Sequence, residues 1–276
     1  MSATAHPAVS IVERLAPLFT GPLADSAGTL VEAEPPPDAV SVARLLAEPL
    51  LLHGILVRNH AFLKAAGTDL RASASMWHMR YLWTLLPYSM AALTLFRHAL
   101  PTLPAEMWLD VDPDGQPVRF YVTGPGREAP EAAAQVRYEA LVFRHLDPLT
   151  EALNGLTGLS RRIAWVNVAR HVQAVFDGGQ EQPAFARVST EDRRALLEDP
   201  TWTRLDPAGP PGGGSNPLFQ PPREVLLPAT PGTPSRTVQV HRACCLYYKL
   251  GEPRYCGACP LAPENLPRKS RAINAG

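Results

Sequence analysis

Apolar positions along the first two-thirds of the chain recur at three- and four-residue intervals, the period of helices with a buried face. Val9 to Phe19 reads as a short amphipathic start. From Ser41 to Lys64, Leu45, Leu46, Leu50, Leu52, Leu56 and Phe62 keep near-helical spacing, with Ser41 placed as an N-cap. Asp69 to Leu100 predicts one or two buried helices, bent or broken near Pro87, because an interior proline lacks an N–H and crowds the preceding turn. Helical spacing returns at Glu131 to Leu153 and Leu159 to Phe176, and Ser189 with Asp192 resembles a capping box opening a short helix to Glu198.

The pattern changes twice. Trp108, Val111, Val118, Phe120 and Val122 flank Pro113-Asp114-Gly115, which predicts a β-hairpin. Asp110, Asp112, Asp114 and Gly115 match the first half of a calcium-binding loop, but its twelfth position, where a bidentate Glu belongs, holds Tyr121, so calcium is set aside. Glu32 to Asp38, with three consecutive prolines, reads as a linker, and Pro207 to Asn216 as a flexible loop. Short β-rich runs at Glu224–Leu227 and Thr237–His241 predict a second hairpin around Pro228 to Pro234. The expected class is α+β, mainly helical: a body over residues 1–235 with small antiparallel hairpins, and a C-terminal segment, 236–276, packed on it.

Composition adds little until charge is mapped. The 276 residues are 46% hydrophobic, ordinary for a globular chain, and the 30 prolines imply numerous stiff loops. Formal net charge is zero, yet from Arg236 onward seven basic residues face two acidic ones, which puts that segment in a positive field suited to an anionic partner. The first fifteen residues lack the basic start and apolar run of a signal peptide, so a reducing, cytoplasmic setting is expected. The uncharged stretch Tyr81 to Phe96 is short for a membrane span and holds Pro87; it reads as core, leaving at most peripheral membrane contact.

The candidate chemistry is concentrated at one place. All 4 cysteines lie in the pattern Cys244-Cys245-x10-Cys256-x2-Cys259. Four thiols at close range can hold a tetrahedral zinc or a two-iron, two-sulfide cluster. Gly257 permits the tight turn that aims Cys256 and Cys259 at one centre. The adjacent Cys244 and Cys245 point to opposite faces of an extended segment, so both can ligate only where the backbone bends. Four readings stand: an iron–sulfur cluster, a structural zinc, a redox pair at Cys256 and Cys259, and free or disulfide-forming thiols. Pro260 speaks against the helix that a redox pair should open, and the adjacent half is unusual for zinc. Arg242, Tyr247, Tyr248, Lys249 and Arg254 surround the cysteines and are candidate contacts to a bulky anionic ligand. His53, His60, His78, His98, His145 and His171 fall on helical stretches and read as core or surface residues.

His241-Arg-Ala-Cys-Cys-Leu-Tyr-Tyr-Lys-Leu250 followed by Tyr255-Cys-Gly-Ala-Cys-Pro-Leu261 resembles the C-terminal signature of the FhuF family of ferric siderophore reductases, over about twenty residues. Ser75 to Trp83 and Trp165 to Asn167 match family positions more loosely. The resemblance implies a cytoplasmic protein holding one [2Fe–2S] cluster on Cys244, Cys245, Cys256 and Cys259. It also implies one-electron reduction of Fe(III) bound to a siderophore, typically a hydroxamate. No dinucleotide fingerprint or P-loop is present, so the electron donor is expected to be a separate protein or small reductant; no nucleic-acid partner is expected. The competing readings are a zinc-stabilised siderophore-binding or scaffold protein without redox activity, and a simple electron carrier.

Overall fold

The computed structural model describes residues 9–130, 133–204, 212–229, 234–250 and 255–266. Helix α1 (Ile11–Leu15) opens on a capping box: Ser10 Oγ accepts from the Glu13 N–H at 3.1 Å, and Glu13 Oε2 accepts from the Ser10 N–H at 3.0 Å. Two 3₁₀ turns lead to the short strands β1 (Leu30–Glu32) and β2 (Val40–Ser41). The expected Ser41–Lys64 helix divides into α2 (Val42–Ala47) and α3 (Pro49–Phe62). The break falls at Glu48, since Pro49 forces the residue before it out of helical geometry (φ −111°, ψ 89°). Ser41 occupies the N-cap of α2 without a side-chain capping hydrogen bond.

Of the one or two helices expected, the structure has one, α4 (Arg71–Leu95), which runs through Pro87 without a break. Nineteen of its 25 residues are buried. Burying each large apolar side chain contributes roughly 1.5–3 kcal/mol, which together outweighs the roughly 3 kcal/mol cost of an interior proline. Strands β3 (His98–Ala99), β4 (Met107–Val111), β5 (Pro117–Val122) and β6 (Arg127–Glu128) follow; His98 thus lies on a strand, not a helix. The predicted hairpin is β4–β5, inside a four-stranded sheet of order β1-β5-β4-β2 in which only the β1–β5 pair is parallel. At its turn Asp112 Oδ1 accepts from the Gln116 N–H at 2.8 Å. Gly115 is left-handed (φ +79°), and a Cβ there would lie 2.4 Å from the Ile55 carbonyl oxygen, so only glycine fits against α3. The Gly115 carbonyl accepts from Trp77 Nε1 at 2.9 Å, which ties the turn to α4.

Helix α5 (Ala134–Leu141) passes through a π-helical turn, Val142–Leu146, into α6 (Asp147–Thr157), where the sequence predicted one helical stretch. After α7 (Arg161–Gly179) comes α8 (Pro183–Leu197), which corrects the Ser189 capping box: the helix starts six residues earlier, and both Ser189 and Asp192 are buried in its middle. Asp192 instead pairs with the buried Arg137 on α5 and accepts from Thr94 Oγ1 on α4 at 2.9 Å. The expected loop at 207–216 is also corrected in part. Gly212–Ser215 forms β8, paired antiparallel with β7 (Thr201–Arg204) around the buried Trp202; residues 205–211 lie outside the described residues. Strands β9 (Arg223–Leu227) and β10 (Arg236–Val240) make the second predicted hairpin. The mainly helical α+β class holds. Helices α4, α7 and α8 pack together at its centre.

Candidate functional site

Strand β10 ends at Val240, and the next backbone group fixes the site: the His241 N–H donates to the Ala258 carbonyl at 2.8 Å, joining the hairpin to the Cys256–Cys259 turn. That turn closes with the Cys259 N–H on the Cys256 carbonyl at 2.8 Å. Asn265 Nδ2 clamps it, donating to the carbonyls of Gly257 (3.2 Å) and Cys259 (3.1 Å). The bend that the adjacent cysteines require falls one residue later: Leu246 is left-handed (φ +66°, ψ 7°), and the 3₁₀ turn Tyr247–Lys249 follows against α4.

The four thiols come together as two crossed pairs. Cys244 Sγ lies 3.8 Å from Cys259 Sγ, and Cys245 is in hydrogen-bond contact with Cys256. Around a metal with bonds of about 2.3 Å, two thiolates of a tetrahedron stand about 3.8 Å apart, so the first pair is spaced to share one ion. Each half of the motif thus supplies one sulfur to each pair. Among the described residues no three His, Cys, Asp or Glu side chains converge on one point as a metal-ion site. Cys245 and Cys259 are buried. Backbone N–H groups aim at the sulfurs: Leu246 on Cys244 at 3.4 Å, Tyr247 on Cys245, and Leu261 on Cys259 at 3.4 Å. The thiol of Cys245 is held below the ordinary range, chiefly by the hydrogen bond from Cys256, helped by the Tyr247 N–H and Arg170 against burial. The same hydrogen bond pushes Cys256 up, and burial pushes Cys244 up to about 11.

Arg170 is the functional residue that sequence reasoning missed. It sits on α7, far from the cysteines in the chain, yet its positive charge acts on Cys245, Cys256 and His241. Its Nη1 is buried with no hydrogen-bond partner. The available signal was the lone arginine in the stretch Val166 to Val175, which holds no other Arg, Lys, Asp or Glu. His241 is held to about 4, first by burial and then by Arg170, so its imidazole is neutral near pH 7. Beside it lies a cleft of about 320 Å³ walled by α7, the end of α8, the 218–222 loop and the end of β10.

The other candidates separate. Arg242 lines the cleft. Tyr248 stacks on Tyr255, with ring centroids 5.7 Å apart, whereas Tyr247 is exposed. Lys249 lies near Asp69, whose carboxylate is held below its usual range chiefly by the Arg71 hydrogen bond. Arg254 lies outside the described residues. The two loosely matched segments meet across α4 and α7, where Asn167 Nδ2 donates to Ser75 Oγ at 2.9 Å. Among the histidines, His78 and His145 are fully buried, and His145 bonds to the Tyr81 hydroxyl (2.6 Å) and the Thr102 carbonyl. Among the described residues no helix is long and apolar enough to cross a membrane.

Comparison with known proteins bears first on the helical body. In solved structures, aerobactin synthetase IucA from a hypervirulent pathotype of Klebsiella pneumoniae shares the fold over 65% of this chain and 36% of its own, at a TM-score of 0.51 and 17% identity in the ATP-bound form. A second structure of that synthetase gives a TM-score of 0.50 at 14% identity, over 65% of this chain and 37% of its own. A ferric siderophore reductase of Escherichia coli (strain K12) is 26% identical over 188 residues, covering 68% of this chain. The chain spans 64% of that relative's length. Residues 75–211 match the family described as ferric iron reductase FhuF-like transporter. That match falls on the helical body and ends before the first cysteine, so body and cysteine motif point the same way from separate residues: the chain belongs to the FhuF-like family.

Proposed function

We propose that this protein is a ferric siderophore reductase, in which Cys244, Cys245, Cys256 and Cys259 hold a [2Fe–2S] cluster and siderophore-bound Fe(III) is reduced to Fe(II) in the cytoplasm. The observation that carries the reading is the crossed pairing of the thiols, Cys244 with Cys259 and Cys245 with Cys256. Two irons that need two thiolates each match two sulfur pairs better than one zinc does, since a single tetrahedral ion needs all four sulfurs on one point. We assign one iron to each pair. In this reading residues 236–276 are the cofactor-holding segment and residues 1–235 the body that supports it.

When bound, such a group supplies a one-electron reservoir. The chain's own residues set how readily it is filled. Backbone N–H groups directed at three of the sulfurs, and the Arg170 guanidinium, favour the added negative charge and so raise the potential. Burial of Cys245 and Cys259 acts the other way. Reduction is the release step for the substrate, because hard hydroxamate oxygens hold Fe(III) far more tightly than Fe(II). The electron comes from a separate donor, a reduced protein or small reductant, and one electron taken up yields one Fe(II) and a free chelator.

Anaerobically purified protein should be brown, hold about two irons and two sulfides per chain, and become EPR-active on reduction. Mixed with a ferric hydroxamate, the pre-reduced protein should be reoxidised as Fe(II) appears. Colourless protein with one zinc would sink the cluster, and a reduced cluster that no ferric chelate reoxidises would leave only an electron carrier.

A further inference from the structure

The cleft beside the cysteine pairs has a charge pattern of its own. Arg170, Arg193 and Arg242 line it, together with the single carboxylate of Glu198, the amide of Gln239 and the side chain of His241. Glu198 is already engaged by Arg193, through Oε1 and Nη1 at 2.6 Å. The remaining excess of positive charge comes from Arg170 and Arg242. Arg170 adds a sharper signal: its buried Nη1 has no partner, and an unmet buried donor on a charged group is costly unless something fills the space and accepts from it. Arg170 lines the cleft, and its charge also acts on Cys245.

We infer that this cleft is an anion subsite for the substrate, seating a free carboxylate arm of an anionic ferric chelate so that the charge of Arg170 acts on both the arm and Cys245. The inference rests on the reductase reading and adds the substrate's charge class and its place. A guanidinium fork takes a carboxylate through paired hydrogen bonds, which a neutral amide or alkyl arm cannot match. The volume, about 320 Å³, stands at the small end of the roughly 300–1,000 Å³ of small-molecule sites. It suits one arm, with the iron-bearing part of the chelate resting outside, toward the cysteine turn. Arg242, exposed at the rim, then guides the arm inward and Arg170 holds its end.

The test uses the cluster-loaded protein and gallium(III), which takes the same ligands as Fe(III) and cannot be reduced under these conditions. Gallium complexes of N-succinyl and N-acetyl desferrioxamine B differ in one carboxylate. Calorimetric titration should find the succinyl complex bound about tenfold more tightly, a single charge-assisted contact's worth. Arg242→Gln should weaken that preference and, separately, Gln239→Glu should remove it; both residues lie toward solvent, so the fold survives. Equal affinities, no binding of either complex, or a preference that outlasts both substitutions would overturn the inference. Electron transfer is read separately, from Fe(II) released when pre-reduced protein meets the two ferric complexes. Charge-selective gallium binding without electron transfer defeats the reductase and leaves the subsite standing. Electron transfer without charge selection does the reverse.

Discussion

The helical body and the cysteine segment are held together by different means. In the body, α4, α7 and α8 interlock through a continuous apolar core that also holds a buried polar network: Arg137 and Asp192 as an ion pair, with Thr94 bonded to Asp192 and to the Tyr138 hydroxyl at 2.7 Å. The stretch from His241 to Leu266 has, among its described residues, only two 3₁₀ turns and no helix or strand. Its order comes from single hydrogen bonds: His241 to Ala258, Asn265 to two carbonyls, N–H groups to sulfurs. One region is shaped by the volume it excludes from water, the other by the donor atoms it must present. Damage to the cysteine segment should therefore leave the body readable.

The widest separation is expected for Cys245→Ser. Iron and sulfide should fall from about two of each per chain to almost none, while far-UV circular dichroism keeps the full helical signal. Loss of helicity along with the iron would show the two regions to be one cooperative unit. Next, Asp192→Ala strands a buried guanidinium and should lower stability by about 3–5 kcal/mol in urea titration, with iron content of the folded fraction unchanged. Of similar size, but reversible, is the acid sensitivity of the body. Burial holds His78 to about 3 and His145 to about 4, so in the folded chain both stay neutral at pH 5. Unfolded, they take up protons below about 6.5, so stability is full above that pH and declines as pH falls toward the folded values; at pH 5 each should have lost about 2 kcal/mol. Urea midpoints at pH 7 and pH 5 measure this, and equal midpoints would mean that the core admits the charged imidazoles.

Hairpins were the most legible part of the fold, because turn chemistry is local: Pro113-Asp114-Gly115 specifies its bend whatever lies around it, and β9–β10 announced itself through β-rich runs about a proline-rich turn. Pro87 left one helix and two both open, because its cost is local and the compensation, burial of α4, is not. Ser189 and Asp192 carried cap-like spacing for a reason unrelated to capping: both face the interior of α8, where Asp192 meets a partner 55 positions away. At the site, the cysteines and their need for a bend could be read from spacing. Their crossed pairing and Arg170 could not, since both depend on how α7 and the C-terminal segment come to lie together.

Leu246 carries a further consequence. A left-handed leucine costs roughly 1–2 kcal/mol relative to an ordinary backbone, and nothing in its own side chain offsets that, unlike a glycine or asparagine. What holds it is its packing against the body's core. A synthetic peptide copying residues 241–266 would lack that anchor, relax the kink and let the neighbouring thiols swing apart. The motif is therefore not a portable cassette: its preorganisation is borrowed from the helices beneath it, and grafting it elsewhere means carrying a socket for Leu246 along with the four sulfurs.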